Sequence, residues 1–188
     1  MKIILASASP RRKDLLSELI EDFECKSSDI EEVFDDKLSV YENVMKVAYD
    51  KGDYIHKLNA DSLVISADTI VTLDGEVFGK PKDPLDAYMM LKKLINKAHS
   101  VITGVCVIYK DQKISYYEES FVYMKDASDE QILDYVKTKE PLDKAGSYAI
   151  QGLGSSLIDK YEGDYNNIVG LPLKRLKTIL NDIKATYF

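Results

Sequence analysis

Two of the three arginines in this sequence, Arg11 and Arg12, follow a short apolar run near the beginning of the chain. Ser9 and Pro10, directly before them, predict an N-cap and the first residue of a helix. The first helical turn presents unpaired N–H groups and the positive end of the helix dipole, and guanidinium groups and hydroxyls bind phosphate directly. The segment is therefore a candidate phosphate site, and an ordinary cap followed by a solvated basic turn is the alternative.

A carboxylate, Asp68, comes at the end of the apolar run 63–67, which predicts a buried strand. Ligands of α/β proteins gather at the carboxyl ends of strands, and a carboxylate there can hold a divalent metal ion or orient a water molecule. The alternative is an Asp that forms a turn.

Two further polar residues are flanked by Gly and Pro or by Gly alone. Lys80 lies between Gly79 and Pro81, which is not the spacing of a Walker A loop, but such a lysine can still bind phosphate. Gln151 precedes Gly152, and its amide offers a donor and an acceptor that suit the edge of a base. A polar turn and a strand with bulges are the respective alternatives.

Several reaction classes have little support in the residue types. The two cysteines and two histidines have no metal-ligand spacing, and no G-x-S-x-G or G-x-G-x-x-G motif is present. Cys25 and Cys106 are interpreted as two reduced thiols of the core. Paired cations with strand-end carboxylates favour a metal-assisted reaction on a phosphate ester.

Composition limits the partners of the protein. There are 32 acidic and 25 basic side chains, a net charge of −7 and a pI near 4.9, which counts against nucleic-acid binding but allows a small anionic ligand. No apolar run reaches the ~18 residues of a membrane span, and no secretion signal is recognisable, so we expect a cytoplasmic protein. The 188 residues suffice for one domain or two small lobes.

Elements that would position these side chains can be read from periodicity and capping signals. The predicted elements are a helix over 10–21, a helix to about 58 opened by the Ser39/Glu42 capping box, a strand over 63–73, a turn at Asp74–Gly75, a helix from Pro84, strands over 99–110 and 113–125 separated by Asp111–Gln112, a helix from Ser128 to about 138, strands at 145–150 and 156–159, and a last helix from Pro172. Early alternation and later antiparallel pairs favour a mixed α/β sheet.

With these motifs in this order, the sequence resembles the Maf family of nucleoside triphosphate pyrophosphatases from end to end. The resemblance rests on LASASPRRKDLL (5–16), AYDKG (48–52), SADTIV (66–71), FGKPKDPLDAYMML (78–91), HSVITGV (99–105), EPLDKAGSYAIQG (140–152) and GDYNNIVGLPL (163–173). It implies one domain over 1–188: a mixed, partly antiparallel α/β sheet with flanking helices and two lobes around a central cleft, related to the inosine triphosphate pyrophosphatases.

The resemblance also implies an activity and roles for individual residues. A nucleoside triphosphate is hydrolysed to the monophosphate and pyrophosphate with a divalent cation, Mg²⁺ or Mn²⁺. The triphosphate would be bound by Ser9, Arg11, Arg12, Lys51 and Lys80. Asp68 would accept the proton of the attacking water and hold the metal together with Glu32, for which Glu31 is a rival. A homodimer is also expected.

Substrate type follows from three positions of the resemblance. Arg11, Thr69 and Gln151 match the branch that resembles dTTP/UTP pyrophosphatases, and the Gln151 amide can pair with the O4/N3 edge that uracil and thymine share. The alternatives are the 7-methyl-GTP branch and a nucleotide-binding regulator of septum formation. Gly52, where the family usually has Ala, departs from the pattern and leaves the local geometry open.

Overall fold

The computed structural model describes residues 1–187. The helices of these residues are α1 (Pro10–Ser17), α2 (Val40–Leu58), α3 (Pro84–Leu94), α4 (Asp129–Lys137), α5 (Tyr165–Val169) and α6 (Leu173–Tyr187). Short 3₁₀ turns cover Glu140–Asp143, Ala145–Ser147 and Leu153–Leu157. None of these helices is long and apolar enough to cross a membrane.

Seven strands of the described residues form one sheet. They are β1 (Ile3–Leu5), β2 (Glu24–Cys25), β3 (Leu63–Leu73), β4 (Glu76–Phe78), β5 (Ala98–Tyr109), β6 (Gln112–Met124) and β7 (Ile158–Glu162). The order is β2-β1-β3-β5-β6-β7, with β4 paired to β3. Strand β1 is parallel to β2 and β3, whereas β4 and β7 are antiparallel to β3 and β6. The predicted mixed, partly antiparallel sheet is confirmed.

The chain divides into two compact units. The first contains Met1–Asp68, Thr103–Glu118 and the segment from Gly170, and the second contains Thr69–Ile102 and Glu119–Val169. Two units agree with the two expected lobes, while the central cleft and the single domain over 1–188 stay predictions.

Helix α2 supplies one side of the core in the first unit. Its capping box is formed as predicted, with the Ser39 hydroxyl accepting from the N–H of Glu42, and its apolar residues recur at helical spacing. Ile55 packs against β1 and β3 through Ile4 and Val64. The helix approaches β5 so closely that a Cβ on Gly104 would lie 2.5 Å from the carbonyl oxygen of Val44. Burial of these side chains against the sheet holds α2 in place.

In the second unit, the core joins β3–β7 residues to α3 and α4. Its buried members include Val71, Phe78, Leu91, Leu94, Val101, Val122, Ile132, Tyr148 and Leu157. Asp83 caps α3 by accepting from the N–H of Asp86, as the Asp-Pro pair predicts.

Some sequence predictions were wrong in detail. Residues 145–150 do not form a strand, because Gly146 (φ 68°) and Ser147 (φ 61°) have positive φ and extended backbone cannot contain them. The β5–β6 turn is Lys110–Asp111, and Lys110 takes the left-handed conformation with φ 52°. Cys106 is buried as expected, but Cys25 is exposed because β2 is an edge strand.

Candidate active site

Hydroxyl groups cap the beginning of helix α1. The Ser9 hydroxyl accepts from the N–H of Arg12 at 3.4 Å, and the N–H of Ser9 donates to the Ser7 hydroxyl at 3.2 Å. Pro10 is the first helical residue, as predicted. Because β1 runs parallel to β3 and Leu5 pairs with Ile65, the segment that follows β1 lies beside the residues around Asp68. Asp68 is not at the end of its strand as the sequence suggested, because β3 continues to Leu73.

The side chain of Arg12 is held in place by a hydrogen bond to the backbone. Its Nε donates to the carbonyl oxygen of Gly170 at 2.8 Å, which fixes the half-buried guanidinium. Burial lowers the pKa of Arg12, attraction by Asp68 and Glu32 raises it, and repulsion by Arg11 lowers it. Asp68, Glu32 and Arg11 are therefore close enough to Arg12 to act on its charge.

Lys51 forms ion pairs with both predicted metal ligands, Asp68 and Glu32. Its Nζ lies 2.8 Å from Asp68 Oδ1 and 2.7 Å from Glu32 Oε1. The side chains of Lys51 and Asp68 are only 12% and 10% exposed, whereas that of Glu32 is 51% exposed. Helix α2 therefore holds Lys51 against the carboxylate of β3, and Glu32 completes the pair from the loop before α2. Of the two candidate glutamates, Glu32 makes this ion pair.

The oxygen donors of this cluster fit a magnesium or manganese ion. Asp68 and Glu32 both face one ammonium group, so their carboxylates are already gathered around a positive charge. Residues 1–187 contain no group of three or more His, Cys, Asp or Glu side chains arranged for a metal. Mg²⁺ commonly takes only one or two carboxylates and completes its shell with water and substrate phosphates, so two donors are compatible with it.

Lys80, Thr69 and Gln151 belong to the second unit. Lys80 and Gln151 are exposed and Thr69 is half-buried. The N–H of Gly146 donates to the carbonyl oxygen of Gly79 at 3.1 Å. A Cβ on Gly146 would lie 2.8 Å from a methyl group of Val71. The turn at Ala145–Ser147 thus connects the Lys80 segment to β3, two residues beyond Thr69.

One residue near the site was missed by the sequence analysis. Ser66, two residues before Asp68 on β3, is fully buried and donates to the carbonyl oxygen of Ala48 at 2.6 Å. A Cβ on Gly52 would lie 2.5 Å from this hydroxyl. The signal was the glycine at 52, which leaves the space that Ser66 fills.

Taken together, the first unit presents cations, a helix N-terminus and a carboxylate where β1 ends beside β3. Arg11, Arg12 and Lys51 can bind a polyphosphate, and the N–H groups of α1 add an anion site. Asp68 is placed to hold a metal ion or orient a water molecule next to these cations.

Comparison with known proteins gives matches along nearly the whole chain. The family model described as Maf-like protein matches residues 2–183. The dTTP/UTP pyrophosphatase of Caldicellulosiruptor saccharolyticus is 45% identical over 188 residues, covering 97% of this chain and 94% of the relative. That of Alkaliphilus oremlandii is 49% identical over 184 residues, covering 96% and 95%.

Solved structures show the same fold at low sequence identity. The Ham1 protein of Staphylococcus aureus has a TM-score of 0.55 and 14% identity, covering 97% of this chain and 100% of that one. The HAM1 protein of Coxiella burnetii has a TM-score of 0.53 and 15% identity, covering 97% and 99%. This likeness concerns the fold alone.

Proposed function

Because the chain belongs to the Maf-like protein family, we propose that it hydrolyses dTTP and UTP to the monophosphate and pyrophosphate. The observation that carries the proposal is the Lys51–Asp68 ion pair beside Arg12 at the N-terminus of α1. Relatives that are 45–49% identical over nearly the full length are named dTTP/UTP pyrophosphatases. The 7-methyl-GTP and regulator alternatives are not favoured by these names.

The triphosphate binds through the cations and the helix N-terminus. Arg11, Arg12 and Lys51 neutralise charge on its oxygens, and Lys80 is the further phosphate-binding cation that the family resemblance implies. Ser9 holds the first turn of α1 in the conformation that presents its N–H groups. Arg12 needs little reorganisation on binding, because its Nε is already held by Gly170.

Asp68 acts as the general base. Its carboxylate accepts a proton from water, the resulting hydroxide oxygen bonds to phosphorus, and the phosphoanhydride bond between the α and β phosphates breaks. Pyrophosphate is the leaving group when the α phosphorus is attacked and the monophosphate is the leaving group when the β phosphorus is attacked, so both routes give the same two products. Lys51 orients the carboxylate through its ion pair.

Asp68 and Glu32 would hold Mg²⁺ or Mn²⁺. When bound, such a cation supplies charge neutralisation on the phosphate oxygens. The two carboxylates support this assignment, since both face the same ammonium group.

Base recognition is assigned to Gln151, with Arg11 and Thr69 as the other positions that mark the dTTP/UTP type. The exposed Gln151 amide offers both a donor and an acceptor to the O4/N3 edge. A base without this edge leaves polar groups unpaired, which lowers its kcat/KM.

The test is pyrophosphate release from a panel of nucleoside triphosphates with Mg²⁺ or Mn²⁺ and with EDTA. We expect dTTP and UTP to be the best substrates and EDTA to abolish release. A preference for 7-methyl-GTP would overturn the assigned substrate. Nucleotide binding without any release would favour the regulator of septum formation. The cytoplasmic location, the homodimer and the absence of nucleic-acid binding stay predictions.

A further inference from the structure

A chain of hydrogen bonds surrounds the loop that carries Gln151. We propose that Glu140 and Tyr135 form a clamp that fixes the backbone on both sides of Gln151 and thereby sets the selectivity between bases. The inference rests on the proposed function, because it concerns how the proposed base-reading residue is positioned. Both residues are positioning residues, and neither belongs to the phosphate site.

The contacts of the clamp reach the loop before and after Gln151. Glu140 Oε1 accepts from the N–H of Leu153 at 3.0 Å, and Oε2 accepts from the N–H of Gly154 at 2.9 Å. The Tyr135 hydroxyl donates to Glu140 Oε2 at 2.7 Å and accepts from the N–H of Ala149 at 3.1 Å. Residues 149 and 153–154 are thus joined to one carboxylate–phenol pair.

Burial and charge make the clamp strong. Tyr135 is only 6% exposed, and burial raises the pKa of its phenol, so the hydroxyl remains a donor. Burial acts to raise the pKa of Glu140, but hydrogen bonds from Tyr135, Gly154 and Leu153 and the charge of Lys144 lower it overall. The acceptor is therefore a charged carboxylate, whose hydrogen bonds are stronger than those of a neutral group.

The glycines of the loop leave space for the clamp. A Cβ on Gly152 would overlap the Glu140 carboxylate, and a Cβ on Gly154 would lie 2.5 Å from the Tyr135 hydroxyl. Neither glycine has a positive φ, so the need for glycine here comes from this close approach.

The segment before the loop is anchored as well. The Tyr148 hydroxyl lies 2.8 Å from His99 Nε2, and the two rings meet edge to face. Because Tyr148 is buried and Gln151 is exposed, the clamp holds a short exposed segment at the end of a fixed one. The backbone position of Gln151 then depends on Ala149, Leu153 and Gly154.

Replacing the carboxylate would open the clamp without touching the phosphate site. In Glu140→Gln, one oxygen becomes an amide NH₂ group, which faces a donor where the carboxylate accepted from one. In Tyr135→Phe, the bonds to Glu140 and Ala149 are lost while the ring remains. Both changes leave Lys51 and Asp68 in place, so we expect discrimination between bases to fall more than kcat.

The experiment measures kcat and KM for dTTP, UTP and CTP in wild type, Glu140→Gln and Tyr135→Phe. Glu130→Gln, an exposed glutamate in the first turn of α4, is the matched control. We expect the ratio of kcat/KM for dTTP over CTP to fall about tenfold in both clamp variants, mainly through KM for dTTP. We also expect the amide protons of Leu153 and Gly154 to exchange faster with solvent, and neither quantity to change in Glu130→Gln.

Each outcome decides one part of the inference. Faster amide exchange with an unchanged dTTP/CTP ratio would overturn the role in selectivity, and unchanged exchange would overturn the clamp itself. If Glu140→Gln does not fold, Tyr135→Phe carries the test. If wild type releases no pyrophosphate from any nucleotide, the proposed function fails. The selectivity between dTTP and CTP is then measured as the ratio of their dissociation constants in wild type and in the clamp variants. A ratio equal to that of wild type would then still overturn the clamp's role in selectivity.

Discussion

At the scale of single residues, the site depends on one lysine shared by two carboxylates. Lys51 is paired with Asp68 and Glu32, and its side chain is nearly buried. Removing it leaves the Asp68 carboxylate without this partner at a poorly solvated position. The cationic charge that the triphosphate meets is also reduced.

We predict that Lys51→Gln lowers kcat/KM for dTTP by about 10²–10³-fold, the range seen when one preorganised electrostatic group is removed. The matched control is Lys46→Gln, because Lys46 lies on the same helix and pairs with the partly exposed Asp50 in an i,i+4 contact. Steady-state pyrophosphate release measures both variants. Equal losses in the two would contradict a specific role of Lys51.

His99 makes the stability of the protein depend on pH. Burial lowers the pKa of His99 to about 4, against about 6.5 for an exposed histidine. Between these values the unfolded chain binds more protons than the folded one, so stability is lost as the pH falls from about 6.5 towards 4.

We predict that His99→Gln removes up to about 3 kcal/mol of this pH dependence. Urea unfolding at pH 7 and pH 4.5, in wild type and variant, measures it. Asp53 has a separate effect, because hydrogen bonds led by that from Lys57 lower its pKa to about 2 and its stabilisation is lost only below about 3.8. Equal slopes in wild type and His99→Gln above pH 4.5 would refute the assignment.

Site residues could be predicted from the sequence where they belong to a local motif. Ser9 and Arg12 follow β1, which pairs in parallel with the part of β3 just before Asp68, so the order of the motifs predicted that these residues lie close together. Glu140 and Ser66 were missed because their partners are distant in sequence: Gly154 for one and Ala48 for the other. Only a three-dimensional arrangement reveals such pairs.

At the scale of elements, the distance between α2 and β3 depends on a glycine–serine pair. The Ser66 hydroxyl fills the space beside Gly52. Gly52 directly follows Lys51 in α2, and Ser66 lies two residues before Asp68 in β3. This pair therefore sets how closely the helix that carries the lysine approaches the strand that carries the carboxylate.

We predict that Gly52→Ala destabilises the protein by about 1–3 kcal/mol, because the added methyl group overlaps the Ser66 hydroxyl. In the double variant Gly52→Ala/Ser66→Gly the space is restored, and we expect most of the stability and the turnover to return. Urea unfolding and dTTP hydrolysis are measured for wild type, both single variants and the double variant, which together form a double-mutant cycle. Additive losses would show that the two residues do not share this space.

Element types were predictable where capping and periodicity agreed. Both capping boxes, at Ser39 and at Ser128, open the helices that the sequence predicted. The prediction of a strand over 145–150 was wrong. The apolar residues of this segment are typical of a strand, but Gly146 and Ser147 have positive φ, and Gly146 packs against Val71. This tertiary contact overrides the local preference.

At the scale of the whole molecule, a protein with a net charge of −7 carries a local group of cations. A small triphosphate reaches the cations alone, whereas a long polyanion also meets the surrounding negative charge. We therefore expect the protein to bind a nucleotide and to repel a nucleic acid.

We predict that duplex DNA in large excess leaves dTTP hydrolysis unchanged at about 50 mM salt, a low concentration that favours non-specific binding. Inorganic triphosphate, a small competitor with the same phosphate chain, should inhibit. The measurement compares the initial rate of dTTP hydrolysis without an additive, with duplex DNA and with inorganic triphosphate. Inhibition by DNA would show that the cations belong to an extended basic surface.

The most direct test of the account is the Asp68→Asn variant, measured for both pyrophosphate release and dTTP binding. The amide cannot accept the proton of the attacking water, so kcat should fall by at least about 10²-fold while dTTP still binds. Turnover equal to that of wild type in the folded variant would contradict the assignment of Asp68 as the base, and with it the proposed mechanism.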